Sequence, residues 1–204
     1  MRDKSLFGNI TYDDAISLVA SGTDINQLNS YNRTPLYYAT NPKIMEFLIK
    51  NGAAINIKDI DGYTPLHAHT DNFQNCKMLI DAGADINAIN NVGRSPIFYV
   101  GNPDIAQLFI NKGINLNRKF KSSLYLINEY NPCELNSLFI KNGAVPQSIN
   151  CYEHYKYLFS KEQQDIFDVY KTITNNDDDF FAMCLAYNVQ AKNIIDFIDL
   201  EFQP

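Results

Sequence analysis

His67, His69 and Cys76 are the first residues whose types could do chemistry, since imidazole nitrogen and thiolate are the ligands of a zinc ion. Their spacing argues against it. Residues two apart on a helix point to different faces, and Cys76 falls in the helix that follows. His154 sits in an aromatic stretch with no partner near it in sequence. Asp177, Asp178 and Asp179 could hold a cation or move a proton, but they directly precede Phe180, where an apolar-striped segment starts. Carboxylates there suit the positive end of a helix dipole. No phosphate-cradling glycine loop, nucleophile elbow or zinc spacing occurs. The expectation is a non-enzymatic chain with no catalytic residue, no metal ligand and no cofactor.

Composition sets the class. Of 204 residues 46% are apolar and 20% charged, the balance of a globular chain. No apolar run is long enough to span a bilayer, and Met1 to Ser5 lacks the features of a signal peptide. Cys76, Cys133, Cys151 and Cys184 show no close pairing and read as free thiols of a reducing compartment. A cytoplasmic protein is expected, with secretion that needs no cleaved signal as the alternative. Residues 1–149 carry 13 basic and 13 acidic side chains, whereas residues 150–204 carry 4 and 10, which accounts for the whole net charge of −6. With no basic tract, nucleic acid is not an expected partner.

The elements that position these residues are copies of one another. Glycines 22, 52, 83, 113 and 143 recur every 30 or 31 residues, a period that marks a solenoid. Before each glycine, apolar residues such as Ile44, Phe47 and Leu48, or Cys76, Leu79 and Ile80, follow helical spacing. The glycine closes the helix in the left-handed region. About ten residues on comes Thr34-Pro35, Thr64-Pro65 or Ser95-Pro96, a hydroxyl N-cap with proline at the first helical position. A short helix then turns at a tight corner such as Asn41-Pro42 or Asn102-Pro103 into the next long one, antiparallel to it.

Gly62-Tyr63-Thr64-Pro65-Leu66-His67, followed by Leu79 through Asn87, resembles an ankyrin repeat. The resemblance implies an all-α ankyrin-repeat solenoid of stacked antiparallel helix pairs with turn or β-hairpin fingers. Residues 1–146 are expected to form the stack: a degenerate N-terminal cap repeat, three clear repeats and one degenerate repeat. Residues 147–204 are expected to form an acidic helical cap, with helices over 151–159, 162–173, 180–187 and 191–200. The histidine of the Thr-Pro-Leu-His phrase is structural in this family, so His67 should tie adjacent turns.

The resemblance also implies function. Fingers and first helices line a concave groove that binds proteins and whose side chains do not hold the fold together. The matching positions are Tyr31 and Arg33; Ile60, Asp61 and Tyr63; Asn91, Val92 and Arg94; and a basic fourth finger with Arg118, Lys119 and Lys121. The expectation is a monomer that binds one protein partner there, with no nucleic acid and no membrane. A second reading is an inhibitor or immunity-type protein that blocks a toxin or host enzyme with its acidic end at Asp177, Asp178 and Asp179. A third is a targeting stack with an unrecognised recruitment or enzymatic tail. Heavy use of Asn, Ile, Lys and Tyr is typical of a low-GC genome and suits host–pathogen interaction.

Overall fold

The computed structural model describes residues 5–7, 10–117, 133–145, 156–174, 176 and 183–184. By contact the chain divides into two compact units, Met1–Ile114 and Asn115–Pro204.

In the first unit the long helices are α1 (Tyr12–Ala20), α3 (Pro42–Lys50), α5 (Phe73–Asp81) and α6 (Pro103–Asn111), and the short ones are α2 (Pro35–Tyr38), α4 (Pro65–Ala68) and a 3-10 turn at Pro96–Tyr99. Each long helix starts on a side-chain cap. Thr11 and Asp14 form a capping box, and Asn41, Asn72 and Asn102 accept from Lys43, Asn75 and Asp104 backbone N–H groups at 2.8–3.0 Å. Each ends alike: Gly83, at φ +91°, donates its N–H to Ile80 C=O (3.1 Å) while Ala84 N–H reaches Leu79 C=O (2.9 Å). Without this pair the last carbonyls of α5 would have no partner.

The short helices depart from the expected cap. Proline stands first in each, but Thr34 and Ser95 make no side-chain cap hydrogen bond. Three residues, 39–41, join α2 to α3, and four, 69–72, join α4 to α5, more than the one or two a tight corner suggests. The cause is the brevity of the first helices, each of four residues. In the expected degenerate cap repeat, Leu6 and Phe7 form a turn, with Leu6 buried.

Like elements stack on like. The long helices pack in the order α1, α3, α5, α6, and the short ones in the order α2, α4, 3-10 turn. Leu36, Leu66 and Ile97 form one buried row, and Leu48, Leu79 and Phe109 another. Each such side chain contributes about 1.5–3 kcal/mol on leaving water. Phe47 lies outside this core, half-buried and edge-on to Tyr12.

Just past the ends of the long helices runs a polar clamp. The Asn56 amide donates to Gly83 C=O (3.0 Å) and its Oδ1 accepts from Asp85 N–H (2.9 Å). Asn26 does the same with Gly52 and Ala54, at 3.1 and 2.7 Å. The asparagine of one copy thereby satisfies the turn of the next.

In the second unit Asn117 repeats that clamp on Gly143 and Val145, at 2.8 and 2.9 Å, so the device extends past residue 114. Helix α7 (Cys133–Lys141) buries Leu135 and Phe139. Helix α8 (Lys161–Ile173) opens on a Ser160/Gln163 capping box, and its Phe167 meets Phe159 edge-on at 5.5 Å. Of the helix expected over 151–159, the described part is a 3-10 turn at Lys156–Leu158. Met183 and Cys184 are helical. The rest of the two helices expected beyond 180, with Asp177, Asp178 and Asp179, lies outside the described residues, as do Arg118, Lys119 and Lys121 of the fourth finger.

Candidate functional site

Three fingers are described, at 29–33, 59–63 and 90–94, and one device shapes all of them. The first side chain, Asn29, Asp59 or Asn90, turns its Oδ1 back to accept the N–H groups two and four residues on, at 2.9–3.2 Å. Two backbone bonds then close each turn: Asn29 N–H to Arg33 C=O, Asp59 to Tyr63 and Asn90 to Arg94, at 2.8–3.1 Å, and Asn32 N–H to Asn29 C=O, Gly62 to Asp59 and Gly93 to Asn90, at 2.9 Å. The fourth residue must take positive φ, which Asn32 (56°), Gly62 (81°) and Gly93 (84°) do. Gly62 is also crowded, because a Cβ there would lie 2.8 Å from Asn91 N. Among the described residues the fingers are turns, with no strand.

Neighbouring fingers are tied. Ile60 N–H donates to Tyr31 C=O (3.1 Å), Asn91 N–H to Asp61 C=O (2.9 Å), and the Asn91 amide to Ile60 C=O (3.0 Å). What remains outward is one apolar or aromatic group per tip: Tyr31, Ile60 and Val92 are 53%, 51% and 50% exposed. Asp61 is exposed beside them.

The fifth finger residue folds inward, contrary to the expectation that this face is idle in the fold. The Arg33 guanidinium lies over the Tyr37 ring at 4.4 Å, and its Nε and Nη2 both meet Asp59 Oδ2 at 2.9 Å. The Arg94 guanidinium lies over Phe98 at 4.6 Å. Tyr63 packs edge-on to His67, and its hydroxyl is 2.9 Å from that of Tyr99. That hydrogen bond, and then burial, pushes the Tyr63 phenol up to about 12. The Asn29 amide donates to the Tyr38 hydroxyl at 2.9 Å, so Tyr37, Tyr38, Phe98 and Tyr99 belong to this face. Their sequence signal is that the two residues after Pro-Leu or Pro-Ile change from Tyr-Tyr to His-Ala to Phe-Tyr between copies.

The histidines are fastened beneath it. His67 Nδ1 accepts from Thr64 N–H (3.1 Å) and lies 2.9 Å from the Thr64 hydroxyl, so Nε2–H donates to Arg94 C=O at 3.1 Å. One ring joins the start of α4 to the next finger. His69 Nε2 reaches Leu36 C=O (3.2 Å), and the Asn75 amide reaches Thr40 C=O (3.1 Å) and Ala39 C=O (3.3 Å). Leu36 C=O has only a long bond from Ala39 N–H (3.4 Å) and the chain leaves the helix after Tyr38, so buried side chains of the next copy supply further donors here. Burial lowers the pKa of both rings, that of His67 to about 4. Among the described residues no three His, Cys, Asp or Glu side chains converge as a metal site would need, and no helix is long and apolar enough to cross a membrane.

Comparison with known proteins agrees with this geometry. The family described as Ankyrin repeats (3 copies) matches residues 8–90 and 40–120, together more than half of the chain. Among similar proteins, Protein phosphatase 1 regulatory subunit 12A of Mus musculus is 40% identical over 65 residues, 31% of this chain and 6% of that protein. An ankyrin repeat protein of Variola virus is 31% identical over 99 residues, 45% of this chain and 17% of its own length. A putative ankyrin repeat protein of Rickettsia felis is 32% identical over 145 residues, 60% of this chain and 58% of its own. The chain thus spans less than two thirds of each of these relatives. Helix pairs closed by glycine, a histidine tying successive turns and the family match together place this chain in the ankyrin repeat family.

Proposed function

We propose that the chain is a non-enzymatic binding module that grips one protein partner with its finger tips and first helices. The observation that carries the reading is the row of Tyr31, Ile60 and Val92 on three adjoining, hydrogen-bonded tips, each about half exposed. Folding does not require an apolar group there, because the turns are held by Asn29, Asp59 and Asn90. Aromatic and apolar groups fixed on a rigid turn lose little freedom on binding and suit an interface. Arg118, Lys119 and Lys121, the basic residues of the fourth copy in sequence, are proposed as further partner contacts through their positive charge.

The test is site-specific photo-crosslinking in the native cell from probes placed at Tyr31 and Val92, with Glu46 on α3 as the control position. The proposal expects one protein crosslinked from both tips and not from Glu46. Crosslinks from Glu46 alone would move the site to the long helices.

The inhibitor reading draws on a different observation, the concentration of negative charge in residues 150–204. There the tail would meet a basic cleft, and changing Asp177, Asp178 and Asp179 to lysine would abolish partner binding. Binding indifferent to that change and to salt discards it.

A further inference from the structure

Asparagine followed by glycine is open to attack by its own backbone, because glycine puts no Cβ in the way of its nitrogen. The chain holds two such pairs, Asn51-Gly52 and Asn142-Gly143, and both fall where a long helix closes. The other closing glycines follow Ser21, Ala82 and Lys112. In the reaction the glycine nitrogen loses its proton to water and bonds to the asparagine Cγ. The Cγ–Nδ2 bond breaks, and the amide nitrogen takes up that proton and leaves as ammonia. Water then opens the five-membered imide at one of its two carbonyls, giving aspartate or isoaspartate. Nothing is oxidised or reduced.

The fold holds each group that must move. Asn51 has ψ 18°, which turns the Gly52 nitrogen away from the side chain it would attack. Gly52 N–H donates to Ile49 C=O at 3.1 Å, and Asn51 Nδ2, the leaving group, donates to Phe47 C=O at 2.8 Å. At the second pair Gly143 N–H meets Ile140 C=O at 3.0 Å and Asn142 Nδ2 meets Leu138 C=O at 2.8 Å. Asn51 and Gly52 are exposed, so water reaches them and only the conformation forbids reaction. The step waits on release of the last turn of α3, a local opening. What resists that release lies on the preceding copy. Asn26 holds Gly52 C=O at 3.1 Å and Ala54 N–H at 2.7 Å, and Asn117 holds Gly143 C=O at 2.8 Å and Val145 N–H at 2.9 Å.

We propose that Asn51-Gly52 is a spontaneous deamidation site whose rate is set by the Asn26 clamp, with Asn142-Gly143 governed in the same way by Asn117. The product undoes its own gate. An aspartate at 51 sets a carboxylate, not a donor, against Phe47 C=O at the negative end of the helix dipole. Isoaspartate adds a methylene to the main chain and moves Gly52 out of register with Asn26. The amide does not return, so each conversion leaves the junction of the first two copies looser. This is independent of what the finger face binds.

The experiment incubates the full chain at neutral pH and follows conversion at Asn51 and Asn142 by peptide mass spectrometry, in buffer and in unfolding guanidinium chloride. Both sites are expected to convert at least tenfold more slowly in buffer. In buffer Asn26→Ala should speed Asn51 about fivefold, the order expected when the closed state loses about one net hydrogen bond, and leave Asn142 unchanged. Asn117→Ala should do the reverse. Asn26→Asp keeps the acceptor for Ala54 N–H and loses the donor to Gly52 C=O, so its Asn51 rate should fall between. If circular dichroism finds Asn26→Ala unfolded, Asn26→Asp carries the comparison. A wild-type Asn51 that converts equally fast in buffer and denaturant overturns the proposal. So does a folded clamp variant that leaves the Asn51 rate unchanged or raises both sites alike.

Discussion

Acid should loosen this protein through His67. The ring is 4% exposed and its Nδ1 accepts the Thr64 N–H, a bond that protonation of that nitrogen removes. Burial is the main cause that lowers its pKa from 6.5 to about 4. The folded value lies below the unfolded one, so the stability tied to the neutral ring is complete above pH 6.5 and drains as pH falls toward 4. A drop of that size corresponds to about 3 kcal/mol between the two protonation states, of which about 2 kcal/mol is gone by pH 5. His69 is pushed the same way by burial and adds to the loss. The assay is urea unfolding followed by circular dichroism at pH 7 and pH 5, for the wild type and His67→Gln, with the His67 ring titrated by NMR. The wild type should lose more stability across that interval than the variant, and the ring should remain neutral at pH 5.5. A ring that titrates near 6.5, or identical pH dependence in both proteins, would refute the reasoning.

Glycines of like φ should differ in tolerance. Gly62→Ala meets Asn91 backbone at 2.8 Å, whereas Gly83→Ala meets nothing within 4 Å. Thermal melts should show a loss of about 1 kcal/mol at Gly83 from backbone strain alone and a clearly larger one at Gly62. Asn56→Ala removes both bonds to the next turn, and with water able to replace them the cost should be about 1 kcal/mol by urea unfolding. Leu66→Ala, at a fully buried position of the short-helix row, should cost about 2–5 kcal/mol, and a smaller loss would mean the stack closes over the gap.

Local rules carry far in this chain. Period, helix ends and the corner prolines all follow from steric facts about single residues, so Gly83 and Pro42 announce their roles without any neighbour. What the sequence conceals depends on a second copy. Nothing at Asn26 or Asn56 says that it clamps the turn 26 to 29 residues on, and nothing at His69 and Asn75 says that they serve the carbonyls at and just after the end of α2. Arg33, Tyr63 and Arg94 look like free groove residues on paper because their partners, Tyr37 and Asp59, Tyr99, and Phe98, become neighbours only in the fold. The purest surface positions are therefore Tyr31, Ile60 and Val92, where exposure and apolar character coincide.

Those three positions give the most direct test of the binding face. With the protein captured by crosslinking in hand, its affinity is measured by calorimetry for the wild type and for a triple variant, Tyr31→Ser, Ile60→Ser and Val92→Ser. None of these side chains makes a described hydrogen bond, and Arg33 keeps Tyr37 and Asp59 when the Tyr31 ring, 5.5 Å from its guanidinium, is removed, so helicity and melting should hold. The account predicts a loss of at least tenfold in affinity. Unchanged affinity in a folded triple variant would contradict it.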